Sequence, residues 1–157
     1  MAFVLDASIA ACWAFPDERH PRADAAFTRI RTEEAVVPSL WWFEVRNILV
    51  VNERRKRITE SDTIGFLRDL SRLPIRLDRD PEEAVVLRLA RTHRLSVYDA
   101  SYLELALREA IPLATLDAEL AAAALAEGTG LVAESPERST PPAGNGEAGS
   151  SGNACAT

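Results

Sequence analysis

The sequence predicts an α/β fold in which a short parallel sheet is covered by helices on both faces. Short runs of apolar residues alternate along the chain with longer segments in which apolar residues recur at the spacing of an amphipathic helix. Strands of a parallel sheet are buried on both faces, so they are continuously apolar, and helices usually connect them. Together these two patterns predict layers of helices packed on a central sheet.

Four apolar runs are short enough to be strands, and a fifth candidate follows them. The first run ends at Asp6 and the second at Pro38, residues that commonly end regular structure. The predicted strands are residues 3–5, 35–37, 73–77 and 112–115, with 131–132 as the fifth candidate.

The segments between these runs predict helices, and several begin with a recognisable signal. Ser39 and Thr59 are residues of the N-cap type, and Pro21 and Pro81 fit the first turn of a helix. The predicted helices are residues 9–15, a helix that begins at Pro21, 40–55, a helix capped at Thr59, a helix that begins at Pro81, 100–109, and a short alanine-rich helix after Asp117.

The 157 residues predict one domain followed by a tail. Residues 1–133 carry the strand and helix patterns. From Glu134 onward Ser, Pro, Gly, Glu and Ala dominate, so residues 134–157 are predicted to be disordered. Cys12 and Cys155 lie far apart in the sequence, and with only two histidines they indicate neither a disulfide framework nor a zinc motif.

The formal net charge of −6 is unlike that of most nucleic-acid-binding domains, which are basic. A group of carboxylates that binds a cation lowers the formal charge of its own protein, so the sign does not exclude nucleic acid. The apolar runs are too short to span a bilayer, and Asp6 interrupts the first before a signal peptide could form. We therefore expect a cytoplasmic protein without membrane association.

Three aspartates, Asp6, Asp99 and Asp117, stand where a strand or loop meets a helix. Each taken alone fits an ordinary helix N-cap. Together the three aspartates indicate a ligand-binding site, because the carboxyl ends of parallel strands meet at one edge of the sheet, where ligands usually bind. Asp6 and Asp117 directly follow predicted strands, so both side chains are expected at that edge.

Glu44 is a fourth candidate, because it lies among Trp and Phe residues about one turn into a predicted helix. A salt bridge to Arg46 or to another arginine, or an exposed position, would also explain it. If the four acids converge, two carboxylates about 4 Å apart repel by about 4 kcal/mol at an effective dielectric near 20. No lysine is close to them in sequence, since the only one is Lys56. Mg²⁺ or Mn²⁺, which prefer oxygen ligands, would relieve that repulsion.

Four segments, in this order and with this spacing, resemble the PIN-domain proteins, and most closely the toxin ribonucleases of VapBC toxin–antitoxin pairs. The resemblance extends from about residue 3 to residue 132. The segments are residues 4–8 (VLDAS), 38–47 (PSLWWFEVRN), 96–106 (SVYDASYLELA) and 113–117 (LATLD).

The resemblance implies a three-layer α/β/α sandwich and Mg²⁺-dependent endoribonuclease activity, with Mn²⁺ as a substitute, through a metal-activated water. It also implies a type II toxin with a VapB-type antitoxin, an RNA substrate and a homodimer. Asp6 and Asp99 match the principal metal-binding positions, and Glu44 and Asp117 match the other two acids. The hydroxyl residues at the family's orienting positions are Ser8 and Thr115, and Glu119 is an alternative to Asp117.

Basic residues on the helix that carries Glu44 are candidates for binding RNA phosphates, although cations also favour helix C-termini for electrostatic reasons. Tyr98 and Tyr102 are expected to pack rather than to react. The candidate RNA-binding residues are Arg46, Arg54, Arg55 and Lys56.

Two other functions are compatible with parts of the pattern. An aspartate-based phosphohydrolase would use Asp6, but that class has a second aspartate where this chain has Ser8, and it also needs a lysine near the sheet edge. A catalytically silent PIN-like binding module would have lost one or more of the four acids. All four are present, which favours catalysis.

Overall fold

The computed structural model describes residues 1–133, and the predicted tail at 134–157 lies outside them. In this range the chain forms four strands and seven helices. The strands are β1 (Ala2–Leu5), β2 (Glu34–Pro38), β3 (Ile75–Asp78) and β4 (Leu113–Ala114). The helices are α1 (Ala7–Ala14), α2 (Pro21–Arg29), α3 (Leu40–Arg54), α4 (Glu60–Leu70), α5 (Glu83–His93), α6 (Val97–Glu109) and α7 (Ala118–Ala126).

The four strands form one parallel sheet in the order β3-β2-β1-β4, as the apolar runs predict. β1 is therefore central, and Leu5 at its end pairs with Ala114 at the end of β4. This register brings the next residues, Asp6 and Thr115, alongside each other. The sheet edge at the carboxyl ends of the strands is thus the place where side chains from distant segments meet.

Helices cover both faces of the sheet, which confirms the predicted fold class. Phe3, Val4 and Leu5 are consecutive residues of β1 and all are fully buried. Because successive side chains of a strand point to opposite faces, both faces must be covered at this strand. One group of helices contains α5 packed on α6, which contacts three strands, and the other contains α1 packed on α2 and α3. None of the described helices has the length and apolar character to cross a membrane.

Several details differ from the sequence predictions. The helix predicted to begin at Pro81 begins at Glu83, because Glu82 takes the N-cap position. The candidate fifth strand is a single bridge between Leu131 and Leu113, because β4 is only two residues long and offers little to pair with. Ser39 has helical backbone angles and does not cap α3, and its hydroxyl donates to the carbonyl of Asp78 at 2.9 Å. Asp99 lies inside the first turn of its helix and not before it, because α6 begins at Val97.

Candidate active site

Asp6 occupies the N-cap position of α1, yet its side chain does not cap that helix. Its Oδ2 atom instead accepts hydrogen bonds from the hydroxyls of Ser8, at 2.7 Å, and Thr115, at 2.6 Å. The residue is buried, with 7% of its surface exposed. The structure therefore places both predicted supporting hydroxyls on this carboxylate.

The two hydroxyls are themselves oriented by the backbone that follows β4. The N–H of Leu116 donates to the Ser8 hydroxyl at 3.1 Å, and the N–H of Asp117 donates to the Thr115 hydroxyl at 3.0 Å. Each hydroxyl accepts from the backbone and donates to Asp6. This arrangement fixes the direction of both hydroxyl protons and holds the Asp6 carboxylate in one orientation.

Asp6 carries a buried charge without a basic partner. Burial raises the pKa of Asp6 above its ordinary value, the hydrogen bonds from Thr115 and Ser8 partly oppose this, and the charge of Asp99 raises it further. The other buried acid, Glu104, is only 1% exposed but pairs with the Arg108 guanidinium at 2.6 Å. Among residues 1–133 no lysine, arginine or histidine forms an ion pair with Asp6.

Glu44 is the fifth residue of α3 and is half-buried. Its Oε2 atom accepts a hydrogen bond from the hydroxyl of Tyr102 on α6. Burial raises the pKa of Glu44, the Tyr102 hydrogen bond opposes this, and the charges of Asp6 and Asp99 add to the rise. The structure therefore brings Glu44 into the electrostatic range of both aspartates.

The salt bridge to Arg46 that would have explained Glu44 without a catalytic role is absent from the described residues. The Arg46 guanidinium instead donates to the backbone carbonyl of Trp42 at 3.0 Å and stacks on the Trp42 ring, 3.8 Å from its centroid. Among the described residues Glu44 therefore has no basic partner, and its carboxyl group is influenced by the charges of Asp6 and Asp99.

Asp99 is the third residue of α6 and is held locally by Ser96, the N-cap of that helix. The Ser96 hydroxyl accepts from the Asp99 N–H at 3.0 Å and donates to the Asp99 carboxylate at 2.9 Å. Asp99 is partly exposed, and its charge affects the pKa of both Asp6 and Glu44. It is therefore close enough to those two acids to interact with them electrostatically.

Asp117 has a different environment from the other three. It is the exposed N-cap of α7, and its Oδ1 atom accepts a hydrogen bond from the Leu120 N–H at 2.7 Å. The Asp117 side chain therefore caps this helix. Its own N–H contributes to the site by orienting Thr115. Glu119, the alternative acid, is exposed and lines a surface cleft of about 730 Å³ with His93 and Arg94.

The donor set fits a hard divalent cation that keeps much of its water. No three Asp, Glu, His or Cys side chains within residues 1–133 are arranged to enclose a metal ion. Mg²⁺ does not require such an enclosure, because proteins usually bind it through one or two carboxylates and several waters. Asp6 and Asp99 supply that number of carboxylates, and neither forms an ion pair with a basic side chain of the described residues.

The match to a known family agrees with this geometry. Residues 3–126 match the PIN domain model, which is most of the chain. This chain belongs to the PIN-domain family. The PIN domain is 33% identical over 125 residues to ribonuclease VapC3 of Pyrobaculum aerophilum, covering 77% of this chain and 93% of that protein.

Solved structures show the same fold. The protein PAE2754 from Pyrobaculum aerophilum superposes with a TM-score of 0.62 at 24% identity, over 78% of this chain and 84% of that one. VapC20 of Mycobacterium tuberculosis, described as a toxin that cleaves the sarcin–ricin loop, gives 0.55 at 14% identity, over 77% of this chain and 94% of that one. At such low identities the similarity shows the fold alone.

The basic run after α3 does not lie with the acids of this PIN domain. β2 ends at the site edge and α3 runs back from it, and Arg54 is ten residues beyond Glu44, or about 15 Å along a helix. Arg54, Arg55 and Lys56 are therefore at the opposite end of α3. Because Lys56 is the only lysine, the structure gives Asp6 no nearby lysine of the kind that an aspartate-based phosphohydrolase uses.

Sequence reasoning missed the role of Tyr102, which was expected only to pack. Its ring is fully buried, and burial, the charge of Asp6 and the hydrogen bond to Glu44 raise its pKa. The hydroxyl therefore keeps its proton and acts as a donor. Its position three residues after Asp99 was the available signal, because residues at that spacing share a helix face.

Proposed function

We propose that this PIN domain is a metal-dependent endoribonuclease and the toxin component of a type II toxin–antitoxin system. The observation that carries the proposal is the buried Asp6 carboxylate, oriented by two hydroxyls, close to Asp99 and Glu44, and without a basic partner among the described residues. The sequence similarity to ribonuclease VapC3 supports the choice of RNA as substrate.

In this proposal Asp6 and Asp99 bind Mg²⁺, for which Mn²⁺ can substitute, and Glu44 and Asp117 complete the site directly or through water. A divalent cation supplies stabilisation of phosphate charge and activation of water when it is bound. The Ser8 and Thr115 hydroxyls hold the Asp6 carboxylate toward the cation, since both of their protons point to Oδ2.

Glu44 is proposed as the group that positions the attacking water and accepts its proton. Its Oε2 atom is occupied by the Tyr102 hydroxyl, so Oε1 is the oxygen available for this role. A carboxylate whose pKa is raised by burial is a better base near neutral pH than an exposed one, because general bases work best when their pKa approaches the working pH.

The further expectations concern partners. We propose a VapB-type antitoxin as the neutralising partner and a homodimer as the assembly, both as the resemblance implies. Of the four basic candidates for RNA binding, Arg46 is the one nearest in sequence to a proposed site residue, since it lies two residues after Glu44 on α3. Its guanidinium stacks on the exposed Trp42 ring.

Replacing Asp6 or Asp99 with Asn tests the proposed site. Each change removes one negative charge but keeps the shape of the side chain. RNA cleavage should fall by more than about 100-fold, since even residues behind metal ligands contribute about 10- to 100-fold. Growth inhibition on expression should disappear as well. The exposed Asp69→Asn variant on α4 is the control and should cleave like the unchanged chain.

Metal removal tests the same proposal independently. EDTA should stop RNA cleavage, and added Mg²⁺ or Mn²⁺ should restore it. Cleavage that continues in EDTA, or full growth inhibition by Asp6→Asn, would contradict the proposed mechanism. Sequencing RNA ends after induced expression would then identify the cleaved RNA.

A further inference from the structure

Tyr102 joins the two helices that carry Asp99 and Glu44. It lies one helical turn after Asp99 on α6, and its ring is fully buried. Its hydroxyl reaches α3, where it donates to the Oε2 atom of Glu44. Tyr102 therefore links α6, which carries Asp99, to the Glu44 carboxylate on α3.

Among the described residues, the Tyr102 hydroxyl is the group that restrains the Glu44 carboxylate. A glutamate side chain has three rotatable bonds, and within residues 1–133 its carboxylate accepts this hydrogen bond and no other. Asp6, by comparison, has a shorter side chain and two hydroxyl donors. Without Tyr102 the half-buried Glu44 carboxylate would have no fixed direction.

We propose that Tyr102 is a positioning residue, whose hydroxyl holds Glu44 by Oε2 and thereby directs Oε1 toward the space shared with Asp6 and Asp99. The inference rests on the proposed nuclease function and adds a residue to its machinery. Tyr102 is too deeply buried to touch RNA, and its hydroxyl donates to Glu44, so it acts through that carboxylate. Groups that orient catalytic side chains in this way typically contribute about 10- to 100-fold to activity or to metal affinity.

The test is the Tyr102→Phe variant, which keeps the buried ring and removes only the hydroxyl. We expect kcat for RNA cleavage to fall about 10- to 100-fold while the KM for RNA stays unchanged, because the RNA-facing surface is the same. We also expect Mn²⁺ binding, measured by calorimetry on the full chain without RNA, to weaken. Tyr98→Phe is the matched control, since Tyr98 is on the same helix but 65% exposed, and neither quantity should change.

A double-variant cycle separates positioning from general loosening of the fold. If Tyr102 acts through Glu44, adding Tyr102→Phe to Glu44→Ala should produce no further loss of kcat or of Mn²⁺ affinity. An equal loss in both backgrounds would show that Tyr102 acts elsewhere and would overturn the proposal. Where Glu44→Ala is too slow to assay, the Mn²⁺ affinities complete the cycle.

Failure of this inference is distinguishable from failure of the proposed function. An unchanged chain that cleaves RNA and binds Mn²⁺, beside a Tyr102→Phe variant with the same kcat and affinity, overturns the positioning role only. An unchanged chain that neither binds Mn²⁺ nor cleaves RNA overturns the proposed function, and the positioning role with it.

Discussion

At the scale of single residues, the partner of each buried carboxylate distinguishes Asp6 from Glu104. Glu104 pairs with Arg108, which also forms an ion pair with Asp78 at 2.7 Å. The charge of Glu104 is therefore compensated within the fold. Among residues 1–133, Asp6 has only neutral donors, which include the hydroxyls of Ser8 and Thr115. A buried charge without an opposite charge is costly, and such sites commonly serve binding or catalysis. Sequence inspection cannot make this distinction, because both residues are acids with apolar neighbours.

Thr115 tests the orientation of Asp6 at this scale. Thr115→Val keeps the shape of the buried side chain but removes the donor to Asp6 and the acceptor for the Asp117 N–H. We expect RNA cleavage to fall about 10- to 100-fold, and the free energy of unfolding to fall by about 1–3 kcal/mol, because a backbone donor loses its partner.

Thr115→Ser is the matched control, since it keeps the hydroxyl and loses a methyl group. Steady-state kinetics and urea unfolding of both variants provide the measurement. If the Val and Ser variants cleave RNA equally well, the hydroxyl has no role in orienting Asp6.

At the scale of elements, capping side chains mark the beginnings of α2, α4, α6 and α7. Thr59 and Asp62 form the reciprocal capping box that begins α4, with hydrogen bonds of 3.1 and 2.9 Å, as the sequence indicates. α6 begins three residues earlier than predicted, because Ser96 accepts from the Asp99 N–H and takes the N-cap role. The sequence analysis considered Asp99 as the cap, but in the structure Ser96 is the N-cap and Asp99 lies in the first turn.

Ala110, the residue that ends α6, is a position where a substitution can raise the stability of the protein. Its φ of 53° lies in the left-handed region, where a Cβ is unfavourable and glycine is not. Ala110→Gly should raise the free energy of unfolding by about 0.5–1 kcal/mol. Ala122→Gly, at an exposed position within α7, should lower it by about 1 kcal/mol. Thermal and urea unfolding of the two variants check the opposite signs, and a destabilised Ala110→Gly would contradict the strain argument.

At the scale of the whole molecule, the site depends on which strands are neighbours. Asp6 and Thr115 are 109 residues apart in sequence, and they meet because β4 pairs with β1 in the parallel sheet. Glu44 and Tyr102 are 58 residues apart and meet because α3 and α6 converge at the same edge. The candidate active site is thus a property of the topology and of no single motif.

Glu127 links distant helices in the same way and gives a stability prediction that depends on pH. It follows α7 and pairs with His93, at 2.7 Å, and Arg88, at 3.2 Å, on α5, and these partners lower its pKa below the ordinary 4.5. A lowered folded pKa means that the stabilisation is complete above about pH 4.5 and is lost as the pH falls through the folded pKa.

The Glu127→Gln variant should therefore be less stable than the unchanged chain at pH 6, and the difference should shrink as the pH falls below 4.5. Glu119→Gln, an exposed acid on α7, is the control. Urea unfolding at a series of pH values gives the difference in the free energy of unfolding. A difference that stays constant down to pH 3 would contradict the prediction.

The fold class, most helices and strands, and the four acids as candidates could be predicted from local signals in the sequence: apolar periodicity, capping residues and the position of each acid relative to the predicted elements. The supporting hydroxyls, Ser8 and Thr115, were implied by the resemblance to the PIN-domain family. Only the tertiary structure showed that Ser8 and Thr115 both donate to Asp6, that Glu44 pairs with Tyr102 and not Arg46, and that the basic run lies away from the acids. The physical reason is that a charge acquires its partner through strand order and helix direction, which no local pattern encodes.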